Sequence, residues 1–150
     1  CELKCVGGTC LLGWCEAEVA EYCEGRDSMA EIEGKAKEVL DKTEVVVIGT
    51  CGENGPHLVA TWGDYVRAIG VQDGDTVIAP AGGYSQTEEN LKTNPRVQVL
   101  IGSKQVGTGF RLSGRGEVQT SGELAQLAKS KYSWARGALV IRVDTIQCLL

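Results

Sequence analysis

The chain has 150 residues, with Lys+Arg 15 against Asp+Glu 20 and a formal net charge of -5. That length suits one compact domain, and no basic stretch is able to track a phosphate backbone, which argues against nucleic-acid binding. No apolar run spans a bilayer and no charged n-region precedes an apolar h-region, so a cytoplasmic protein without membrane contact is expected.

In chain order, residues 1–27 are rich in Cys, Gly and Glu and follow no period. Ser28 and Glu31 form a capping-box pattern ahead of a helix that carries Ile32, Ala36, Val39 and Leu40 on one face and ends near Lys42. Glu44 to Thr50 is short, apolar and β-branched, as a buried strand is. Glu53-Asn54-Gly55 signals a hairpin turn, with Pro56 to Trp62 as the returning strand. A further strand is expected over Tyr65 to Ile69, then a turn at Asp73-Gly74 and a strand over Thr76 to Ala79.

Ser85 and Glu88 give a second capping-box pattern, with a helix from about Gln86 to Lys92 stopped by Asn94-Pro95. Strands are expected over Arg96 to Ile101, Phe110 to Gln119 and Ala138 to Val143, and a helix around Leu124, Leu127 and Ala128. About six strands joined by short turns, with three helices between them, favour an antiparallel barrel with helical insertions over a doubly wound sheet. Gly 20 fits many tight turns, and Phe 1 and Met 1 leave the core to Val, Ile, Leu and Ala.

Two stretches can carry chemistry. Pro80-Ala81-Gly82-Gly83-Tyr84-Ser85-Gln86-Thr87 joins a glycine turn to a helix N-terminus. Backbone can approach a ligand closely there, and free N–H groups with the Ser85 and Thr87 hydroxyls can hold a phosphate. The same residues also read as a glycine turn before an ordinary capped helix, the commoner outcome for such a pattern. In Gly55 to Tyr65, Trp62 and Tyr65 lie close together at a strand end, where they can flank a flat ring or pack in the core. His57, the one histidine, reads as a maker of structural hydrogen bonds. No Ser-His-Asp or Cys-His arrangement supports hydrolysis.

Several runs together resemble the small FMN-binding proteins of sulfate-reducing bacteria, relatives of pyridoxine 5'-phosphate oxidase. They are Gly55-Pro56-His57-Leu58-Val59 with Thr61-Trp62 and Tyr65, Gly82-Gly83 with Thr87-Glu88, Gly107-Thr108-Gly109-Phe110, and Lys131 to Ile141 (KYSWARGALVI). Order and spacing agree over about Glu31 to Leu150. The resemblance implies a mainly β fold with helices, an FMN-binding split β-barrel over 28–150, assembled as a homodimer with FMN at the subunit interface. It implies a cofactor set of Ala60, Thr61, Trp62, Tyr65, Pro80, Gly82, Gly83, Ser85, Gln86, Thr87, Gly107, Thr108, Gly109, Trp134 and Leu150. Trp62 and Tyr65 match aromatics near the flavin ring, and Trp134 matches one that approaches the flavin of the other subunit. Leu149 and Leu150 match a covering tail, and Thr61, Ser85, Gln86 and Thr87 fall at the phosphate end. Gln86 stands where the family pattern has Lys, which removes a cation. The loop before Gly107 is shorter than the pattern.

The implied activity is electron transfer, with a redox partner protein or a small-molecule reductant. A flavin reductase or oxidase acting on a small substrate, and a non-enzymatic FMN-binding interaction module, are the alternatives. The resemblance leaves 1–27 unexplained. Cys1, Cys5, Cys10, Cys15 and Cys23 supply enough thiolates for a four-sulfur zinc site or an iron–sulfur cluster, at spacings that match neither pattern closely. Disulfides or free thiols are the other readings. Cys51 and Cys148 are expected to be small buried apolar residues.

Overall fold

The computed structural model of the protein describes residues 30–150. The Cys-rich segment expected over 1–27, with its five cysteines, lies outside the described residues, as does Ser28.

The first helix, α1 (Gly34–Lys42), buries Ala36, Val39 and Leu40, the i, i+3, i+4 stripe read from the sequence. It does not begin with the expected capping box. Glu33 is the cap residue, in extended conformation and with no side-chain cap bond. Ile32 is buried ahead of the helix, its N–H donating to the Gly74 carbonyl at 2.7 Å. A contact with a distant turn therefore sets the entry of this helix, rather than a local cap.

Strands β1 (Val45–Gly52) and β2 (Gly55–Trp62) form the expected hairpin around Glu53-Asn54. The stretch expected as the next strand is instead a helix, α2 (Gly63–Ile69). Val66 and Ile69 are its buried apolar residues, three apart, a spacing that serves a helix face and not one face of a strand. Gly63 makes the turn possible. Its N–H bonds the Glu44 carbonyl, and a Cβ there would run into the Thr43 carbonyl oxygen.

After β3 (Thr76–Ala81), wholly buried, come α3 (Ser85–Thr93), β4 (Arg96–Ser103), β5 (Thr108–Gln119), α4 (Glu123–Lys131) and β6 (Gly137–Cys148). In α3 the cap position belongs to Tyr84, with no side-chain cap bond, so Ser85 is the first helical residue rather than half of a capping box. The last strand runs five residues beyond Val143, because Asp144, Thr145 and Gln147 face outward and break the apolar run without breaking the ladder.

All strand pairs are antiparallel, in the order β2-β1-β4-β5-β6-β3. Only the β1–β2 and β4–β5 connections are direct turns, the others carrying a helix, and the edge strands β2 and β3 are not paired with each other, which leaves an open six-stranded half-barrel. One face holds the main core, in which Val39 and Leu40 meet Ile48, Val99, Ile101, Leu112, Leu139 and Ile141. On the other face Ile69 and Ala128 from α2 and α4 cover Ile78, Ala138 and Val140. No helix of the described residues is long and apolar enough to cross a membrane. Cys148 packs partly against the core as expected, but Cys51 is exposed at the end of β1, where alternation turns it away from the interior.

Candidate functional site

The end of β2 and the start of α2 bring Trp62 and Tyr65 together. The β1–β2 register sets Val45 opposite Trp62. These residues, with Ala60, Thr61, Tyr84 and Trp134, line a groove of about 350 Å³. Trp62 is 58% exposed and Trp134 50% exposed, although large aromatic rings generally bury themselves. Tyr65, Tyr132 and Trp134 form a tilted cluster with centroid distances of 4.7, 5.5 and 5.6 Å. Packing of this kind fixes ring positions and adds stability beyond area burial. The groove is thus an apolar slot with two exposed indoles and one braced wall.

The glycine turn follows β3 on the same side. At Gly82 a Cβ would come within 2.9 Å of the Trp134 ring, so the absence of a side chain lets the indole lie on the backbone. Arg136 donates from Nε to the Gly82 carbonyl at 3.0 Å and pairs through Nη2 with Glu88 in the first turn of α3. Its own N–H bonds the Ala81 carbonyl.

Helix α3 is clamped to the sheet by polar contacts. Gln86 donates to Asn90 Oδ1 at 2.9 Å, and Asn90 Nδ2 donates to the Thr50 hydroxyl at 3.0 Å. Thr87 is fully buried, and its hydroxyl has no hydrogen-bond partner among the described residues. A buried hydroxyl without a partner is costly. In the first turn of a helix, beside the free N–H groups, it fits an anionic group brought into the turn.

Two phenols are perturbed. Burial pushes the Tyr84 hydroxyl above the ordinary tyrosine value, while the neighbouring Thr61 hydroxyl pulls the other way. Desolvation, with smaller contributions from Asp64 and Tyr65, raises Tyr132 as well. Both remain neutral donors through the physiological range.

Of the residues singled out in the sequence, Ala60, Thr61, Trp62, Tyr65 and Trp134 line the groove, and Gly82 abuts it through Trp134. Pro80 is buried in β3 opposite Ala138, and Gly83 and Ser85 are exposed beside the turn. Gly107, Thr108 and Gly109 are not groove-lining residues. They hold the C-terminus instead: the Thr108 hydroxyl donates to the Leu150 carbonyl at 2.6 Å, and Leu149 N–H bonds Gly109. His57 is half-buried on β2, away from the groove-lining residues. Val45, Tyr84 and Arg136 were not anticipated. Tyr84 carried a signal as the aromatic residue within the glycine turn, and Arg136 lies in the run Lys131 to Ile141. Among the described residues no three His, Cys, Asp or Glu side chains come together as a metal site.

Residues 32–148 match the family described as pyridoxamine 5'-phosphate oxidase, and the chain belongs to that family. It is 41% identical over 112 residues to an FMN-binding protein of Nitratidesulfovibrio vulgaris (strain Miyazaki F), covering 71% of this chain and 88% of that protein. Among solved structures it superposes on a point variant of HupZ from Group A Streptococcus with a TM-score of 0.68 at 21% identity, over 79% of this chain and 99% of that one. An FMN-binding protein from Syntrophomonas wolfei gives a TM-score of 0.56 at 15% identity, over 77% and 84%. These likenesses agree on the fold.

Proposed function

We propose that the protein binds FMN in the aromatic groove and works in electron transfer. The carrying observation is the meeting of an apolar slot with exposed Trp62 and Trp134 and a glycine turn that leads into a helix with the unpartnered Thr87 hydroxyl. The identity to an FMN-binding protein supports the same reading.

Bound FMN would supply hydride and single-electron chemistry. The chain's own part is to hold the ring and keep water off it. Trp62 and Trp134 flank the slot, and the contact of Tyr65 with Tyr132 and Trp134 keeps the wall rigid. Thr61 and Tyr84 offer hydroxyls to polar edges. The Gly82-Gly83 backbone, Ser85, Gln86, Thr87 and the α3 N–H groups would hold the phosphate end, with Arg136 adding positive charge that Glu88 already offsets.

The same reading includes a homodimer. On the outward face of β2, β1 and β4, the exposed Val45, Leu58, Trp62 and Leu100 lie near one another through the pairings Val45–Trp62, Gly49–Leu58 and Val47–Leu100. A contiguous apolar face of this kind suits an interface with a second copy. It also includes a thiolate metal site at Cys1, Cys5, Cys10, Cys15 and Cys23, as iron–sulfur or zinc, for relaying electrons or docking a partner. The half-exposed indoles favour a second reading, a reductase or oxidase with a substrate over the open slot.

The test is an ultraviolet–visible spectrum of anaerobically purified protein, with flavin, iron and zinc assayed on the same sample. Flavin bands, or their appearance with tryptophan quenching on adding FMN, are expected. A colourless protein that ignores FMN overturns the proposal. Steady-state oxidation of NADH or NADPH separates the reductase reading from a carrier.

A further inference from the structure

Away from the groove, the strand register builds an unusual row of charge. Arg96 on β4 is the direct partner of Arg115 on β5, and Arg115 is the direct partner of Arg142 on β6. All three are exposed on the sheet's outer face, because their neighbours Val97, Gly114, Gly116, Ile141 and Val143 are buried. Directly paired residues of antiparallel strands sit about 4.5–5.5 Å apart at Cα. Three arginine side chains therefore leave directly neighbouring positions on three strands, on a chain whose net charge is -5.

Like charges directly opposite each other in a sheet are destabilising. The row is only weakly neutralised. Arg115 meets Asp144 at 3.5 Å, with both side chains well exposed, and Arg96 and Arg142 have no carboxylate in ion-pair range among the described residues. Glu117 also borders the row but accepts a hydrogen bond from Gln119. Arg115 and Arg142, with Pro95, Gly116, Glu117 and Val140, line a groove of about 270 Å³. Pro95 and the buried Val140 are its apolar lining residues.

We propose that this arginine row is a second binding site, separate from the aromatic groove, for a small phosphate-bearing anion. Guanidinium groups are planar forks that take phosphate oxygens in pairs, and adjacent forks can share one diphosphate. The groove volume admits a diphosphate or a phosphate monoester and is small for a drug-sized ligand. Binding relieves the repulsion that the register imposes, so the site is stabilised by its ligand.

The experiment titrates inorganic pyrophosphate into the full chain saturated with FMN, so that any phosphate subsite of the aromatic groove is filled or, if FMN does not bind, is left the same in every variant. Heat of binding and thermal midpoint are recorded for the wild type, Arg115→Gln, Arg142→Gln and Arg115→Lys. Wild type is expected to bind and to rise in midpoint with pyrophosphate. Each Gln variant is expected to lose at least about tenfold in affinity, since charge-assisted pairs of this kind carry that much, and to melt higher than wild type without pyrophosphate. Arg115→Lys keeps the charge and loses the fork, so it should bind with intermediate affinity. Binding unchanged in both Gln variants, or no binding by the wild type, overturns the proposal. So does dissociation of a dimer by the Gln variants in sedimentation, which would assign the row to an interface between copies.

Discussion

Arg136 holds the Gly82 carbonyl through Nε at 3.0 Å, and the same guanidinium reaches Glu88. One side chain at the entry to β6 thus joins the glycine turn to the first turn of α3, the two pieces that border the proposed phosphate end. Arg136→Met keeps the stem and removes the fork. It should cost about 1–2 kcal/mol of stability, less than a fully buried charged bond because the pair is partly solvated. FMN affinity should fall at least about tenfold by fluorescence titration, with Arg136→Lys recovering only part. Unchanged affinity in Arg136→Met would separate the latch from ligand binding.

Gly82 and Gly83 are adjacent but not equivalent. A methyl group at Gly82 presses on the Trp134 ring at 2.9 Å, whereas one at Gly83 meets nothing within 4 Å. Gly82→Ala should shift the tryptophan emission and weaken FMN binding, because the indole must move within the groove. Gly83→Ala should leave both near wild type. Equal behaviour of the two variants would show that the indole does not rest on the turn in solution.

Asn90 is 4% exposed and satisfies both Gln86 and Thr50. Asn90→Leu replaces it with a side chain of similar size that makes neither bond and leaves the Thr50 hydroxyl without its donor. A loss of about 1–3 kcal/mol is expected in urea unfolding. Thr50→Val in the same background should add little, since the bond it contributes is already gone.

The hydrophobic period made most of the framework legible. Ala36, Val39 and Leu40 gave a helix, the β-branched run at Val45 gave a strand, and Asn54-Gly55 gave the hairpin. Tyr65 to Ile69 misled because the stretch is short and mostly apolar, and the helical spacing of Val66 and Ile69 shows only once their burial is known. The close approach of Gly63 to the Thr43 carbonyl, a tertiary contact, decides for helix. The groove residues Trp62 and Tyr65 were legible as aromatics at a strand end. Arg136 was not, since its partners Gly82 and Glu88 are 54 and 48 residues distant in sequence. Both capping boxes failed for one reason: a Ser–x–x–Glu pattern is local, and the entry of each helix is fixed by contacts elsewhere.

Gln86 commits its amide donor to Asn90, within reach of the α3 N-terminus. Gln86→Lys puts a cation at the proposed phosphate end. FMN should bind about tenfold tighter while riboflavin, which lacks the phosphate, should be unaffected. A parallel gain for riboflavin would place residue 86 against the ring or ribityl chain instead.

Tyr84 offers a test that needs no ligand. Desolvation raises its hydroxyl above the ordinary tyrosine value in the folded protein, and the Thr61 hydroxyl opposes this only in part. Below the unfolded value both states hold the proton, and Tyr84 gives stability no pH dependence. Once pH rises past about 10, the unfolded state releases the proton first, so stability falls until the folded pKa is passed. Phenolate absorbance should therefore show a late-titrating group that disappears in Tyr84→Phe, with Tyr132 contributing a second raised group that remains. The same substitution should flatten the alkaline decline of urea stability. If Tyr84→Phe removes an ordinary titration step and leaves the decline unchanged, the phenol is exposed to water in solution and the groove is wider than its Thr61–Tyr84 wall allows.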